Sequence, residues 1–149
     1  MTTVSVSLRQ QADHRFEIRF GDNIPCLIAD EPAPLGKWEG PSPAQLLCAA
    51  VGNCLSDPLL FALRKFKQAP EPLRCEVQAE VGRNLEGRLR ILGMHATIIL
   101  GVAASALEHL DRSLAQFEEF CTVTQSVREA VRMRVTVVDS DGQTLHDQT

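Results

Sequence analysis

Between Leu46 and Leu63 the chain is apolar nearly all the way round a helical wheel. A helix of that kind must be covered on every side. Its start is well marked: Ser42 stands at the N-cap position, Pro43 suits the first helical position, and Gln45 completes a Ser-x-x-Gln capping box. A membrane is one cover to weigh. The stretch contains Gln45, Asn53, Ser56, Asp57 and Pro58, and its uncharged part, Ala44 to Ser56, is 13 residues long, short of the roughly 18 that a span needs. The expectation is a buried helix of a soluble protein with no membrane partner. A chain of 149 residues offers one thin sheet to cover that helix, so its remaining face is expected to meet a second subunit, making a homodimer.

Around this helix the pattern is mostly that of strands. Val4 and Val6 alternate with polar residues, as do Phe16, Ile18 and Phe20, and after the turn signal Gly21-Asp22-Asn23 a short apolar run reaches from Ile24 to Ala29. Asp30 to Gly40 holds Pro32, Pro34, Gly36 and Gly40 and reads as a loop. Beyond the helix, Leu73 to Val81 alternates, Asn84 to Gly87 reads as a turn, and Leu89 to Leu100 reads as a longer strand with a possible bulge at Gly93. A second helix is expected from Ser105, with Glu108 closing a capping box and Leu107, Leu110, Leu114 and Phe117 as its buried stripe; Cys121 is the next position on that stripe. Val131 to Val137 alternates as a last strand, and Ser140 to Thr149 is expected to fray. The expectation is a single α+β domain over 1–149, core about 4–138, in the order β-β-β-α-β-β-α-β. No internal repeat or glycine-rich phosphate loop interrupts it.

Formal charge is −4, and the Lys and Arg residues are scattered. Nucleic acid needs a basic footprint, so it is not an expected partner. The start, Met1-Thr-Thr-Val-Ser, lacks the basic and apolar regions of a signal peptide. The expected compartment is therefore the reducing cytoplasm, where resting cysteines are thiols.

There are five cysteines, an odd number at irregular spacing, with no C-x-x-C and no Cys/His pair at zinc spacing. A metal site and a bound cofactor are not expected. Cys54 stands out. It sits in Gly52-Asn53-Cys54, a small and polar break in the apolar helix, and Pro58 follows four residues later. Proline has no N–H, so the carbonyl of Cys54 loses its helical partner and the helix is expected to kink, opening space for a ligand. Against this, a buried cysteine is also simply a small apolar residue. Cys121 is the second candidate, where the stripe of the second helix runs out; against this, it caps that stripe simply as a core residue. Cys26, Cys48 and Cys75 lie in strand or helix patterns and are expected to be structural.

Asp30-Glu31-Pro32, Pro34-Leu35-Gly36, Gly40-Pro41-Ser42-Pro43, Leu46-Leu47, Ala49-Ala50 and Gly52-Asn53-Cys54 together resemble the OsmC/Ohr family. Phe120-Cys121-Thr122-Val123-Thr124 is similar to that family's Cys-Pro-Val segment. The resemblance spans about residues 4–138. It implies an intertwined homodimer with buried central helices packed between sheets, and an antioxidant, thiol-dependent peroxidase acting on organic hydroperoxides in an oxidative stress response. Cys54 would attack the peroxide, Cys121 would resolve the sulfenic acid as a disulfide, and an external dithiol would reset it.

The family also supplies an arginine near the sulfur, steered by a glutamate early in the central helix. Arg15 is the candidate arginine and Arg19 the second. The glutamate is absent: the matching positions are Ala44 and Gln45, and Gln45 already has a role in the capping box. Nine helical steps separate Gln45 from Cys54, a rise of roughly 13 Å, so Gln45 could reach only the Cys54 of a dimer mate. Asp30, Glu31, Glu39 and Asp57 are the acids that could substitute. The alternative implied is a redox-sensing or small-apolar-ligand-binding dimer that keeps the fold without turnover.

Overall fold

The computed structural model describes every residue, Met1–Thr149. Strands and helices are mixed, as an α+β chain requires, and they fall into two compact units, Met1–Leu47 and Cys48–Thr149.

The first unit holds an antiparallel sheet in the order β1 (Ser7–Ala12), β2 (Arg15–Arg19), β3 (Leu27–Ala29). The strands are shorter than the apolar pattern suggests. Val4 and Val6 lie outside β1 and are exposed. The run from Ile24 pairs only from Leu27, because Pro25 has no N–H for a ladder. The loop from Asp30 to Pro41 is tied down by one carboxylate: Asp30 accepts from the backbone N–H groups of Glu31, Lys37 and Glu39 at 2.8, 3.0 and 3.1 Å. Gly40 is required there, since a Cβ at that position would stand 2.1 Å from the carbonyl oxygen of Ile28.

Helix α1, Pro43–Lys65, starts with the expected capping box. The Ser42 N–H donates to Gln45 Oε1 at 2.9 Å, and the Gln45 N–H donates to Ser42 Oγ at 3.4 Å. The helix runs through Pro58. By length and composition it would pass for a membrane span, yet its polar Asn53 and Asp57 share the exposed side with Ala49, Ala50 and Phe61. Its buried residues are Val51, Gly52, Leu55, Leu59 and Leu63. The cover expected on all sides is therefore present on one side of α1 in the single chain.

The second unit carries a four-stranded sheet in the order β4 (Arg74–Arg83), β5 (Leu89–Ile99), β6 (Arg132–Val138), β7 (Thr144–Gln148). β5 and β6 run parallel; the other pairs are antiparallel. The parallel register sets Met94 beside Met133, Ala96 beside Val135 and Ile98 beside Val137, all buried. The hairpin bulge falls at Leu92, next to Gly93.

Two expectations are corrected here. The segment from Ser140 does not fray: Thr144–Gln148 forms β7 on β6, and Arg134 holds Asp147 through two bonds of 2.8 and 2.7 Å. Nor does one helix run from Ser105. Ala104–Ala106 is a single 3-10 turn, and the Glu108 N–H is taken by Gln68 Oε1 at 2.7 Å, so no capping box closes. The helical residues divide into α2 (Leu110–Gln116), a 3-10 turn at Phe117–Phe120, and α3 (Thr122–Arg128). The β-branched run Thr122-Val123-Thr124 is a poor continuation of a helix but serves well at the start of a new one.

Candidate functional site

Cys54 lies on α1 and is half-buried; Cys121 is fully buried. Each could also be read in the sequence as a core residue, and the fold brings them together. The backbone N–H of Val123, two residues past Cys121, donates to Cys54 Sγ at 3.4 Å. The Cys121 thiol is pushed up to about 11, first by burial and then by the Cys54 sulfur beside it.

Cys121 does not end the stripe of a long helix, as expected. It is the N-cap of α3, in extended conformation. Its sulfur accepts the Thr124 N–H at 3.4 Å, and its S–H donates to Thr124 Oγ1 at 2.8 Å. Thr124 is fully buried. Cys-x-x-Thr is the N-cap spacing, with sulfur in the place of a serine oxygen.

Below this turn sits a group that sequence reading missed. Glu118 is buried and receives Arg128 at 2.6 Å and His146 Nε2 at 2.7 Å. The Glu118 carbonyl also accepts the Cys121 N–H. The carboxylate thus anchors the segment carrying Cys121 to α3 and β7. No periodicity links residue 118 to residue 146, so only the fold reveals it.

Around Cys54 the small and polar break has a packing reason as well. A Cβ on Gly52 would stand 2.9 Å from Val77 Cγ2 and 3.4 Å from Cys75 Sγ, so α1 meets β4 at this glycine. Cys75 and Cys48 are pushed up chiefly by burial; Cys26 is exposed.

On the far side of Pro58 opens a cavity of about 700 Å³, bounded by α1, α2 and the Phe117–Phe120 turn. Asp57, one turn beyond Cys54, and Phe120, which precedes Cys121, form part of its wall.

Arg15 opens β2, and its guanidinium forms an ion pair with Glu39. Its Nε is buried without a partner. Arg19 is engaged by Glu17 at 2.6 Å and is largely exposed. Of the acids named in place of the missing glutamate, Glu39 is the one paired with Arg15. Asp30 is held below the usual carboxylate range by the N–H of Glu39 first, and the nearby Arg15 adds to it. Ala44 carries no charge and Gln45 is spent on the helix cap. No group of three or more His, Cys, Asp or Glu side chains is placed to hold a metal ion.

A family model described as OsmC-like protein matches residues 36–136. No curated protein matches the chain. Solved structures match nearly end to end at low identity. An OsmC-like protein of Vibrio cholerae is 16% identical over 93% of this chain and 100% of its own, with a TM-score of 0.76. An organic hydroperoxide resistance protein of Legionella pneumophila is 16% identical over 92% and 97%, with a TM-score of 0.68. One from Elizabethkingia anophelis, with thiocyanate bound, is 15% identical over 94% and 98%, with a TM-score of 0.69.

Proposed function

This chain belongs to the OsmC-like protein family, and on that premise we propose that it is a thiol-dependent peroxidase of organic hydroperoxides with Cys54 as nucleophile and Cys121 as resolving residue. The observation that carries this reading is the adjacency of the two sulfurs, with the Val123 N–H aimed at Cys54 Sγ. A thiolate is the reacting form of cysteine, and a backbone N–H is a donor that a thiolate accepts.

The thiolate of Cys54 attacks the terminal oxygen of R–O–O–H. The S–O bond forms as the O–O bond breaks, the alkoxide takes a proton and leaves as R–OH, and sulfur is oxidised to the sulfenic acid. Cys121 then attacks that sulfur after losing its proton, the hydroxyl leaves as water, and a disulfide results. An external dithiol returns both sulfurs to thiols by exchange, becoming a disulfide itself. Arg15 supplies the positive charge for the thiolate, and Glu39 replaces the helix glutamate that this chain lacks. The working unit is a homodimer, whose second copy covers the part of α1 that the single chain leaves open. The expected setting is the cytoplasm.

Stopped-flow reduction of cumene hydroperoxide with a dithiol, comparing wild type with Cys54→Ser, tests this. Rapid consumption by wild type and none by the variant is expected; equal rates end the proposal.

A second reading is favoured by one observation: of the two positions where the acid could stand, Ala44 carries no charge and Gln45 is used by the helix cap. On that reading the dimer binds small apolar molecules or senses oxidants without efficient turnover. Native mass spectrometry separates the two, since a clean dimer mass with rapid turnover excludes it.

A further inference from the structure

The run Thr122-Val123-Thr124 places two hydroxyls just beyond Cys121, and the fold treats them differently. Thr122 is exposed, whereas Thr124 is fully buried. A buried hydroxyl must be matched by a hydrogen bond. Thr124 Oγ1 finds its match in the Cys121 sulfur at 2.8 Å and makes no second bond. The Thr124 N–H reaches the same sulfur at 3.4 Å. Both polar groups of one buried residue are thus spent on one sulfur.

A hydroxyl can donate or accept, and its hydrogen turns about the C–O bond. While Cys121 is a thiol, Oγ1 accepts the S–H. Once that proton has gone, the same oxygen donates its own hydrogen to the sulfur, and no heavy atom has to move. Thr124 therefore suits both protonation states of Cys121.

The second state needs the help. Burial first, and then the sulfur of Cys54, push the Cys121 thiol up to about 11. The repulsion from Cys54 requires a charged sulfur there, and a protonated sulfenic acid carries none. After Cys54 is oxidised, burial remains, and the two bonds from Thr124 oppose it. The nearby carboxylate of Glu118 is engaged by Arg128 and His146.

We propose that Thr124 is a catalytic residue of the resolving step, its hydroxyl and its N–H together stabilising the Cys121 thiolate as that sulfur attacks the sulfenic acid of Cys54. This rests on the peroxidase reading and adds a group to its second half. The Cys121 proton leaves to solvent. The S–S bond forms as the S–O bond of the sulfenic acid breaks, and the departing hydroxyl takes up a proton as water. Thr124 ends as it began.

The test measures closure of the Cys54–Cys121 disulfide after rapid mixing with cumene hydroperoxide, by acid quench and mass. Its rate is divided by that of sulfenic acid formation, read by dimedone labelling of the same Thr124 variant carrying Cys121→Ser. Thr124→Val keeps the shape and removes the hydroxyl. The ratio should fall about tenfold, the scale of one hydrogen bond to a charged group. Thr124→Ser, which restores the hydroxyl without the methyl, should retain the ratio. A Thr124→Val protein that closes as fast as wild type overturns the proposal. So does a Thr124→Ser protein as slow as Thr124→Val, since Thr124 would then act by packing.

A second arm needs no peroxide. Diamide takes two electrons and two protons from a pair of thiols, leaving a disulfide and a hydrazine. If diamide closes the pair with the same dependence on Thr124 while peroxide is not consumed, the role of Thr124 at Cys121 stands and the peroxidase reading falls. If peroxide is consumed and closure ignores Thr124→Val, the peroxidase stands and this proposal falls. If neither oxidant joins the two sulfurs, both end.

Discussion

The backbone N–H of Val123 points at the sulfur of Cys54 from 3.4 Å, which fixes the segment carrying Cys121 against the helix carrying Cys54. A sulfenic acid formed at Cys54 should therefore be captured by Cys121 before it meets bulk reagents. Dimedone added during peroxide treatment should label Cys121→Ser protein at Cys54 and leave wild type nearly unlabelled. Wild type should instead lose two hydrogens in mass, as a Cys54–Cys121 disulfide. Equal labelling of both proteins would mean that the two sulfurs do not react with each other.

Cys121 also predicts a pH dependence of stability. Its thiol is pushed from the ordinary 9.0 to about 11, first by burial and then by Cys54. The folded state therefore keeps a proton that the unfolded state releases sooner. The contribution is fully present below pH 9 and is lost as pH rises through about 11. Urea unfolding under reducing conditions between pH 8 and 11 should show this decline. Cys121→Val should flatten it. Cys48 and Cys75 are raised in the same direction and should account for the slope that remains.

What the sequence made legible was whatever depends on neighbours along the chain. The Ser42–Gln45 cap, the loop of prolines and glycines after Asp30, and the alternation of Met94, Ala96 and Ile98 against Met133, Val135 and Val137 are local signals, and all are present. Cys54 was singled out as a candidate by its setting in the helix. What stayed hidden depends on long-range placement. Glu108 lost its cap to Gln68, forty positions away, and β7 forms because β6 offers it an edge. Val123 could not be singled out, since the group that meets Cys54 is its backbone N–H, which every residue but proline carries.

Arg15 and Glu39 form an ion pair with side chains about 38% and 43% exposed. A pair so exposed is worth at most about 1 kcal/mol. If Arg15 serves the thiolate, its removal should cost more than removal of its partner. Arg15→Ala should slow peroxide reduction about a hundredfold, as loss of a charge-stabilising donor does. Glu39→Gln should slow it only about fivefold. The double variant should be no slower than Arg15→Ala alone. Additive losses in single-turnover kinetics would show that Glu39 does not act through Arg15.

The open side of α1 predicts assembly. Ala49 and Ala50 are exposed in the single chain, on a helix whose buried stripe lies elsewhere. Light scattering after size exclusion should give twice the 16.4 kDa chain mass. Ala50→Arg should shift the protein toward monomer and lower its unfolding temperature. A wild-type monomer at micromolar concentration would refute the dimer.

Gly52 sets how closely α1 approaches β4. Two effects oppose each other in Gly52→Ala. Alanine favours a helix interior over glycine by about 1 kcal/mol. The new methyl would stand 2.9 Å from Val77 Cγ2, and overpacking costs about 1–3 kcal/mol. Valine is stiff at χ1 and yields little, so the clash should win and the variant should lose about 1 kcal/mol net. Val77→Ala removes the obstructing methyl. In the Gly52→Ala/Val77→Ala protein the helix gain remains and the clash is gone, so the pair should be more stable than the sum of its single losses by about 1–2 kcal/mol. Urea unfolding of the four proteins closes this cycle. Strict additivity, or a stabilised Gly52→Ala, would mean that α1 does not depend on a missing side chain to seat Cys54 where it lies.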